Sequence, residues 1–388
     1  MESESLEAPS KSLQGNGGHF SESAFSRGEQ RILFVQDYLR GGGTEHQCIA
    51  LARYALTQGF FVRLLTFRPG GRLEPLLVQS EPVIHRLSLQ SRDWRLNWWA
   101  PGIGRAVSMI QPTAVVLMGR NANCYGWFLK RAAGERSRLI ATLRGARPLP
   151  WLYRRTLRVA DLVLTNSAFA ADRAAQGGAP PERTRVIHNG LRLQPSSVEP
   201  VETLRRHFGL PVDRPVMLCL GRVREAKGQL FLLRVLASLP AQDRPILWVV
   251  GEGDGVGALF RESRRLGLRD DLVVTPYQKD PVPVFRAGDF FALASTEESL
   301  PNALIEAQAC GLPVIALDHA GVGECFLPDQ SGVLLPGRDV ADWAVRVRSL
   351  ATDEDLRRRM GETAAGWAGK KFAFADRAED FLRAVLNR

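Results

Sequence analysis

The feature that most constrains this chain is a rhythm. Short apolar runs alternate with helix-like stretches, and the pattern stops once and starts again. Arg31-Ile32-Leu33-Phe34-Val35-Gln36 reads as a buried strand and Gly41-Gly42-Gly43 as a turn, while Leu51, Ala52, Ala55 and Leu56 mark a helix that ends at Gly59. Phe61 to Thr66, Ala114 to Met118, Leu139 to Leu143, Leu162 to Thr165 and Arg185 to His188 are the further strands of this half. Asn189-Gly190 and a stretch holding Pro195, Pro200 and Pro211 then break the pattern. It resumes with strands at Val216 to Leu220, Ile246 to Val250, Leu272 to Thr275, Phe290 to Ala294 and Pro313 to Leu317. Such alternation predicts α/β architecture: two Rossmann-like parallel-sheet domains facing a central cleft, over 31–193 and 213–388, joined by a linker over 194–212. The last helix is a candidate to cross back to the first domain. In open parallel sheets ligands sit at the carboxyl ends of strands, so functional residues belong just after strands in both halves.

At 388 residues with 45% hydrophobic side chains, the chain can bury two ordinary cores, which excludes a wholly disordered protein. No apolar run approaches the roughly 18 to 20 residues needed to span a bilayer. Residues 1–30 hold seven Ser, four Gly and five Glu without an apolar core, so they read as a disordered polar leader and not as a signal or transit peptide. The expectation is a cytoplasmic protein. Cys48, Cys124, Cys219, Cys310 and Cys325 stand singly with no CxxC pair, which predicts reduced thiols and no zinc site.

Charge is unevenly shared. Residues 31 to 200 carry 24 Lys+Arg against 10 Asp+Glu, whereas 201 to 388 carry 25 against 26, so the basic excess belongs to the first half. It marks a surface for something anionic. Arg92-Asp93-Trp94-Arg95-Leu96-Asn97-Trp98-Trp99, Trp127 and Trp151-Leu152-Tyr153-Arg154-Arg155 interleave Trp with Arg, a composition suited to the headgroup layer of an anionic membrane. Arg on solvent with Trp in the core is the alternative.

Four segments after strands carry chemistry. In Thr296 to Gly311, Pro301 suits a first helical position and Gly311 a stop, so the helix begins at the cleft. Its free N–H groups and its dipole favour phosphate, which makes Leu300, Pro301 and Asn302 donor-binding candidates, while Glu298 and Glu306 could hold sugar hydroxyls; capping is the simpler account of acids there. Gly221-Arg222-Val223-Arg224-Glu225-Ala226-Lys227-Gly228 lacks the residues of a P-loop, yet Arg222 and Lys227 could clamp a diphosphate, a solvated basic loop being the equal alternative. Gly42-Gly43-Thr44-Glu45 would let a ligand approach bare backbone, and a tight turn accounts for it equally simply. Gly251-Glu252-Gly253 with Gly257-Ala258 contains a G-x-G-x-x-A match, but it follows the second strand of its half, where dinucleotide fingerprints are not usually found.

In order along the chain, Gly42-Gly43-x-Glu45, Val186-Ile187-His188-Asn189-Gly190, Gly221-Arg222…Lys227-Gly228, Gly251-Glu252-Gly253 and Glu298…Glu306 with Gly311-x-Pro313-Val314 resemble the family-four retaining glycosyltransferases of the GT-B fold, the glycosyl transferases group 1. The resemblance runs from about 31 to 388. It implies that Glu298 contacts the donor sugar, Glu306 the ribose, Arg222 and Lys227 the diphosphate, and that Gly42 and Gly43 belong to a loop closing over it, with Glu298, Arg222 and Lys227 the catalytic set. Tyr277 and Gln278 occupy the stretch that holds the base. It implies front-side transfer with retention, the leaving phosphate helping to take the acceptor proton, and no metal and no cofactor. Asp353-Glu354-Asp355, a D-x-D, opens a predicted helix and caps it.

This sequence departs from its relatives after two strands of the first domain. Where they carry His, it has Gly119-Arg120-Asn121 and Arg144-Gly145. Arg120, Asn121 and Arg144 are therefore acceptor-side candidates, suggesting an acidic acceptor or donor sugar or further phosphate contacts, with a structural ion pair the equal alternative for the two arginines. Ser299 stands where Gly is common. The resulting expectation is transfer of a hexosyl or N-acetylhexosaminyl group from a nucleotide sugar, a UDP-sugar, to a lipid-linked or polysaccharide acceptor in surface-glycan synthesis, with the basic domain peripheral on the cytosolic membrane face. A nucleotide-sugar epimerase of the same fold is the alternative, although no acid/base pair for it is evident. A basic nucleic-acid-binding protein is a further one; no helix-turn-helix, zinc motif or aromatic-plus-basic sheet signature supports it, and no nucleic-acid partner is expected.

Overall fold

The computed structural model describes residues 30–135, 137–191 and 199–386. The leader expected over 1–30 lies, but for Gln30, outside the described residues, as does 194–198 of the expected linker. Within the remainder of that linker Val201–Phe208 is a helix. Pro200 is its N-cap, so a proline read as a breaker is a starter, its fixed φ suiting the approach to a first turn.

Two all-parallel sheets carry the chain. The first is built from β1 (Arg31–Gln36), β2 (Phe61–Thr66), β3 (Arg86–Ser88), β4 (Ala114–Leu117), β5 (Arg138–Leu143), β6 (Leu162–Thr165) and β7 (Thr184–Val186), in the order β3-β2-β1-β4-β5-β6-β7. The second is built from β8 (Val216–Leu220), β9 (Ile246–Val250), β10 (Leu272–Thr275), β11 (Phe290–Leu293), β12 (Val314–Leu317) and β13 (Gly332–Leu335), in the order β10-β9-β8-β11-β12-β13. Continuous apolar runs such as Ala114–Leu117 and Ile246–Val250 are buried on every residue because helices cover both faces. Ile32 and Phe34 pack into one core of the first sheet, and Leu33 and Val35 into the core on the opposite face.

Each order reverses beside its first strand, between β1 and β4 and between β8 and β11. The loops leaving those strands diverge to opposite faces and open a crevice at their carboxyl ends. Both crevices face the gap between the domains, which fixes where a ligand must sit.

The final helix, Phe374–Leu386, returns to the first domain. Ala378, Phe381, Leu382, Ala384 and Val385 join the core of Phe34, Ile32 and Leu64, with Phe34 and Phe381 stacked at 6.1 Å between centroids. Arg138 Nη1 donates to the carbonyls of Ala384 (3.0 Å) and Val385 (2.7 Å), orphaned at the helix end. The chain thus crosses between domains near Leu191 and again near Phe372, where the Leu191 N–H donates to the Phe372 carbonyl at 2.8 Å. Phe381→Ala should remove about 3–5 kcal/mol of stability, the cost of truncating a buried aromatic, read as a lower denaturant midpoint for the first domain. An unchanged midpoint would show that the returning helix contributes nothing to it.

Candidate active site

The site grows from the crevice between β8 and β11. The loop after β8 and the loop after β11 are held edge to edge: the Thr296 N–H donates to the Ala226 carbonyl at 2.9 Å, and Arg338 Nε donates to the Ala294 carbonyl at 3.0 Å. Gly228, at φ +78, allows this approach, since a Cβ there would lie 2.3 Å from the Ala294 oxygen. Gly251 and Gly253 serve the same purpose one strand over. A Cβ on either would sit 2.0 Å from the carbonyl of Gly221 or Val223, so this turn exists to pack backbone on backbone and not to receive a dinucleotide.

Pairing two loops places Lys227 against Glu298, the ammonium donating to the carboxylate, with both side chains mostly buried. The sequence had suggested separate roles for them; the structure makes them each other's partner. Next to them Arg224 and Glu297 pair at 2.8 Å. Arg222 is exposed, and its guanidinium has no partner among the described residues. After Ser299 and buried Leu300, the helix Asn302–Ala309 begins with Pro301 as N-cap, one residue later than expected, and with no side-chain cap. Glu306 lies one turn beyond Asn302 on the same helical face. Its carboxyl is half-buried and has no hydrogen-bond partner among the described residues, and burial pushes its pKa up to about 7.

The opposite domain roofs this helix start. Gly43 opens the helix Gly43–Thr57, and a Cβ on Gly43 would stand 2.8 Å from Asn302 Nδ2. Gly42 is the N-cap, and Glu45 folds back on that first turn to accept from the Gly42 N–H and its own. Two helix N-termini from different domains therefore meet with only bare backbone and one amide between them. Asn302 Oδ1 accepts from Asn189 Nδ2 at 2.6 Å, and Asn189 Oδ1 accepts from Arg144 at 2.7 Å. Arg144, an acceptor-side candidate, thus reaches the same junction; burial pulls its pKa down to about 10.

Other expected residues do different work. Asn121 is bound to Asp37, whose carboxylate accepts from the N–H groups of Asn121 (2.9 Å) and Ala122 (2.7 Å) and from Asn121 Nδ2 (3.2 Å). Asp37 so stoppers the short helix Arg120–Cys124, and burial raises its pKa against those bonds. Arg120 donates to the Pro148 carbonyl. Ser299 Oγ donates to Asn166 Oδ1 at 3.0 Å and lies 3.1 Å from Ser167 Oγ, so its hydroxyl joins the domains. Gln278 donates to the Pro276 carbonyl, two residues back. Tyr277 is partly exposed, and the guanidinium of Arg72, from the other domain, lies 4.8 Å over its ring while pairing with Glu252 at 3.2 Å.

Arg72, Asp37 and Glu324 carry no sequence signal of these roles. Glu324 caps the helix Ala168–Gln176 across the gap, accepting from the N–H groups of Ala168 (2.9 Å) and Phe169 (3.3 Å). Burial would raise its carboxyl, but these bonds and one from His188 at 3.2 Å hold it below the usual carboxylate range. Among the described residues no group of three or more His, Cys, Asp or Glu gathers as metal ligands would.

Comparison with known proteins agrees with this arrangement. The model described as Glycosyltransferase Family 4 matches residues 41–194, and that described as Glycosyl transferases group 1 matches residues 200–367. A D-inositol 3-phosphate glycosyltransferase of Corynebacterium kroppenstedtii is 32% identical over 247 residues, 58% of this chain and 54% of that one. The chain thus spans about half the length of the curated relatives it matches in this way. D-inositol 3-phosphate glycosyltransferase 2 of Catenulispora acidiphila is 27% identical over 395 residues, 89% of this chain and 92% of that one. Among solved structures, Anabaena HepE in complex with UDP-glucose superposes with a TM-score of 0.79 at 24% identity, covering 93% of this chain and 100% of that one. Sucrose-phosphate synthase from Thermosynechococcus elongatus gives 0.77 at 19% identity, covering 92% and 98%, so these likenesses establish the shared fold. With one family model on each parallel-sheet domain and the cleft between them, the chain belongs to the family-four glycosyltransferases of the GT-B fold.

Proposed function

We propose that this protein transfers a sugar from a nucleoside-diphosphate donor, a UDP-sugar, to a lipid-linked or polysaccharide acceptor, with retention and without a metal. The observation that carries the reading is the junction at Gly43 and Asn302. It gathers an uncapped helix N-terminus, a glycine loop and the cations Arg222 and Lys227 at one crevice. Other helix N-termini at the domain gap are stoppered by Asp37, by Ser167 with Glu324 and, at Gly42, by Glu45, so the uncapped start of Asn302–Ala309 is the end left for a ligand. An open helix end is an anion site.

A diphosphate entering here would meet the Asn302 and Ala303 N–H groups and Arg222, and would draw Lys227 from Glu298. The freed Glu298 carboxylate then faces the donor sugar. As the bond from the anomeric carbon to the diphosphate oxygen breaks, negative charge grows on the phosphate, where fixed positive potential stabilises it most. The acceptor oxygen bonds to the same face of the sugar, and its proton passes to the departing phosphate oxygen. Glu306, with its unpartnered carboxyl, takes the ribose hydroxyls, and Tyr277 offers a face to the base. The relatives' names are those of glycosyltransferases, and the complex of Anabaena HepE with UDP-glucose supports UDP as the nucleotide.

The basic domain supports a membrane partner. The helix Gly126–Ala133 packs beside Ile103–Ile110 and Trp151–Val159, and on or next to this face Trp151 (67%), Trp98 (62%), Trp94 (56%), Phe128 and Met109 are exposed. Trp is therefore not core here. Trp127 lies under Arg155 (3.9 Å) and Arg131 (5.0 Å), a cationic and aromatic surface suited to anionic headgroups. Among the described residues no helix is long and apolar enough to cross a membrane.

Three outcomes are expected. Calorimetry should detect UDP binding in the presence of EDTA, and Lys227→Ala or Glu306→Ala should weaken it by about tenfold or more, the loss of a charged hydrogen bond; unchanged binding in both variants would remove the site assignment. Glu306 in the unliganded protein holds a proton up to about pH 7 that the unfolded chain releases near 4.5, so stability should fall as pH rises through that window. Ribose hydroxyls favour the ionised form, so UDP affinity should climb toward pH 7 and then level off, and Glu306→Gln should flatten both profiles; a wild-type affinity independent of pH between 5 and 7 would contradict the ribose role. Finally, the protein should sediment with phosphatidylglycerol vesicles and not with phosphatidylcholine, and Trp98→Ala with Trp151→Ala should lower the bound fraction several-fold. Equal sedimentation with both lipids would argue against an anionic surface as partner.

A further inference from the structure

The loop after β13 sends one side chain to the crevice between β8 and β11. β13 touches neither of those strands, since β12 lies between it and β11, so Arg338, in the loop that leaves β13 at Leu335, arrives from outside the crevice. Its guanidinium donates to two backbone carbonyls. Nε and Nη2 both donate to that of Ala294, after β11, and Nη2 donates also to that of Ala226, after β8, at 3.4 Å. Because one nitrogen reaches both oxygens, the two carbonyls lie side by side, and that of Ala226 accepts in addition from the Thr296 N–H at 2.9 Å and the Thr296 hydroxyl at 3.4 Å. Partial negative charges held so close repel, and Arg338 is the cation set against them.

Both carbonyls adjoin the residues proposed to handle the donor. Ala226 directly precedes Lys227, and the next residue, Gly228, lies so near Ala294 that a Cβ on it would stand 2.3 Å from the oxygen that Arg338 binds. Glu298, the partner of Lys227, follows Ala294 in the same loop. One guanidinium thus ties together the two segments across which ammonium and carboxylate meet. Burial lowers the pKa of Arg338 and the nearby Glu225 opposes that shift, yet among the described residues Arg338 forms no salt bridge. Its charge is spent on main-chain oxygens, for which a planar fork of donors is suited and a lysine ammonium is not.

We infer that Arg338 is a positioning residue for the donor, holding the loops after β8 and β11 in the register that sets Lys227 opposite Glu298. The inference rests on the donor reading above and adds to it a residue from a third loop, one that touches neither phosphate nor sugar. Its neighbour Asp339 is the N-cap of the helix Val340–Thr352, which anchors this third loop in turn. Without Arg338 the two loops lose a shared donor, and Lys227 meets an incoming diphosphate from a wider range of positions. The cost of ordering it then falls on binding.

A double-mutant cycle on UDP affinity, measured by calorimetry, tests this. Arg338→Gln should weaken UDP binding by about fivefold in the wild-type background but by less than about 1.5-fold in the Lys227→Ala background, where no ammonium is left to place. A residue that only supports the fold would lower affinity by the same factor in both, so equal factors would overturn the inference, as would an Arg338→Gln affinity equal to that of wild type. Arg338→Lys, which keeps the charge and loses the fork, should fall between wild type and Arg338→Gln, and it carries the same cycle should Arg338→Gln fail to fold. Wild type binding no UDP, or Lys227→Ala binding it unweakened, would bring down the donor reading instead. Hydrogen–deuterium exchange of the nucleotide-free protein then decides the loop register: either Arg338 variant should speed exchange of the Thr296 amide several-fold while first-domain amides stay unchanged. Unchanged exchange at Thr296 would overturn the inference.

Discussion

Everything about this cleft depends on two helices from different domains pointing their amino ends at each other. Dipoles meeting head to head repel through their positive ends, and the arrangement persists because other contacts hold the domains in register. Glu324 caps a helix of the opposite domain, Asn189 binds Asn302, Ser299 binds Asn166, and the last helix is buried in the first core. The result is a seam where two helix amino ends meet, the place at which the proposed diphosphate would be reached from both domains.

Glycine is what lets the ends come so close. Side chains at Gly43, Gly228, Gly251 or Gly253 would meet Asn302 or a backbone carbonyl at 2.8 Å or less. The glycine motifs are thus of two kinds. Gly43 lies on the ligand-facing seam, whereas Gly251 and Gly253 exist so that neighbouring loops can nest. A pattern search treats both alike, and only the contacts separate them.

Much of the architecture could be read from residues because buried parallel strands are apolar at every position, as in Ala114–Leu117 and Val216–Leu220. β3 and β13 were not legible: they have three and four residues and are only partly buried, so their composition does not differ from that of a loop. The helix Val201–Phe208 was hidden by the prolines around it. In the site, residues directly after strands were legible, since the sheet places them. The pairing of Lys227 with Glu298, the reach of Arg72 to Glu252 and the capping by Glu324 were not, because each joins segments 71 to 180 positions apart, and no local pattern encodes which partner is met. Arg144 was legible as a departure from its relatives, but its lack of a counter-charge belongs to the packing.

The two halves divide the electrostatic work. The second domain is near neutral and pairs Arg224 with Glu297 and Lys227 with Glu298 beside the unpaired Arg222, so a ligand that takes Lys227 must displace Glu298. The first domain keeps a surplus of unpaired arginines at the loop after β5 and on its outer helices. Hydrogen–deuterium exchange with and without UDP tests the central claim most directly. The account predicts that UDP protects backbone amides in 221–228, in 299–304 and, from the other domain, in 42–46. Protection confined to one domain, or lying away from these segments, would contradict it.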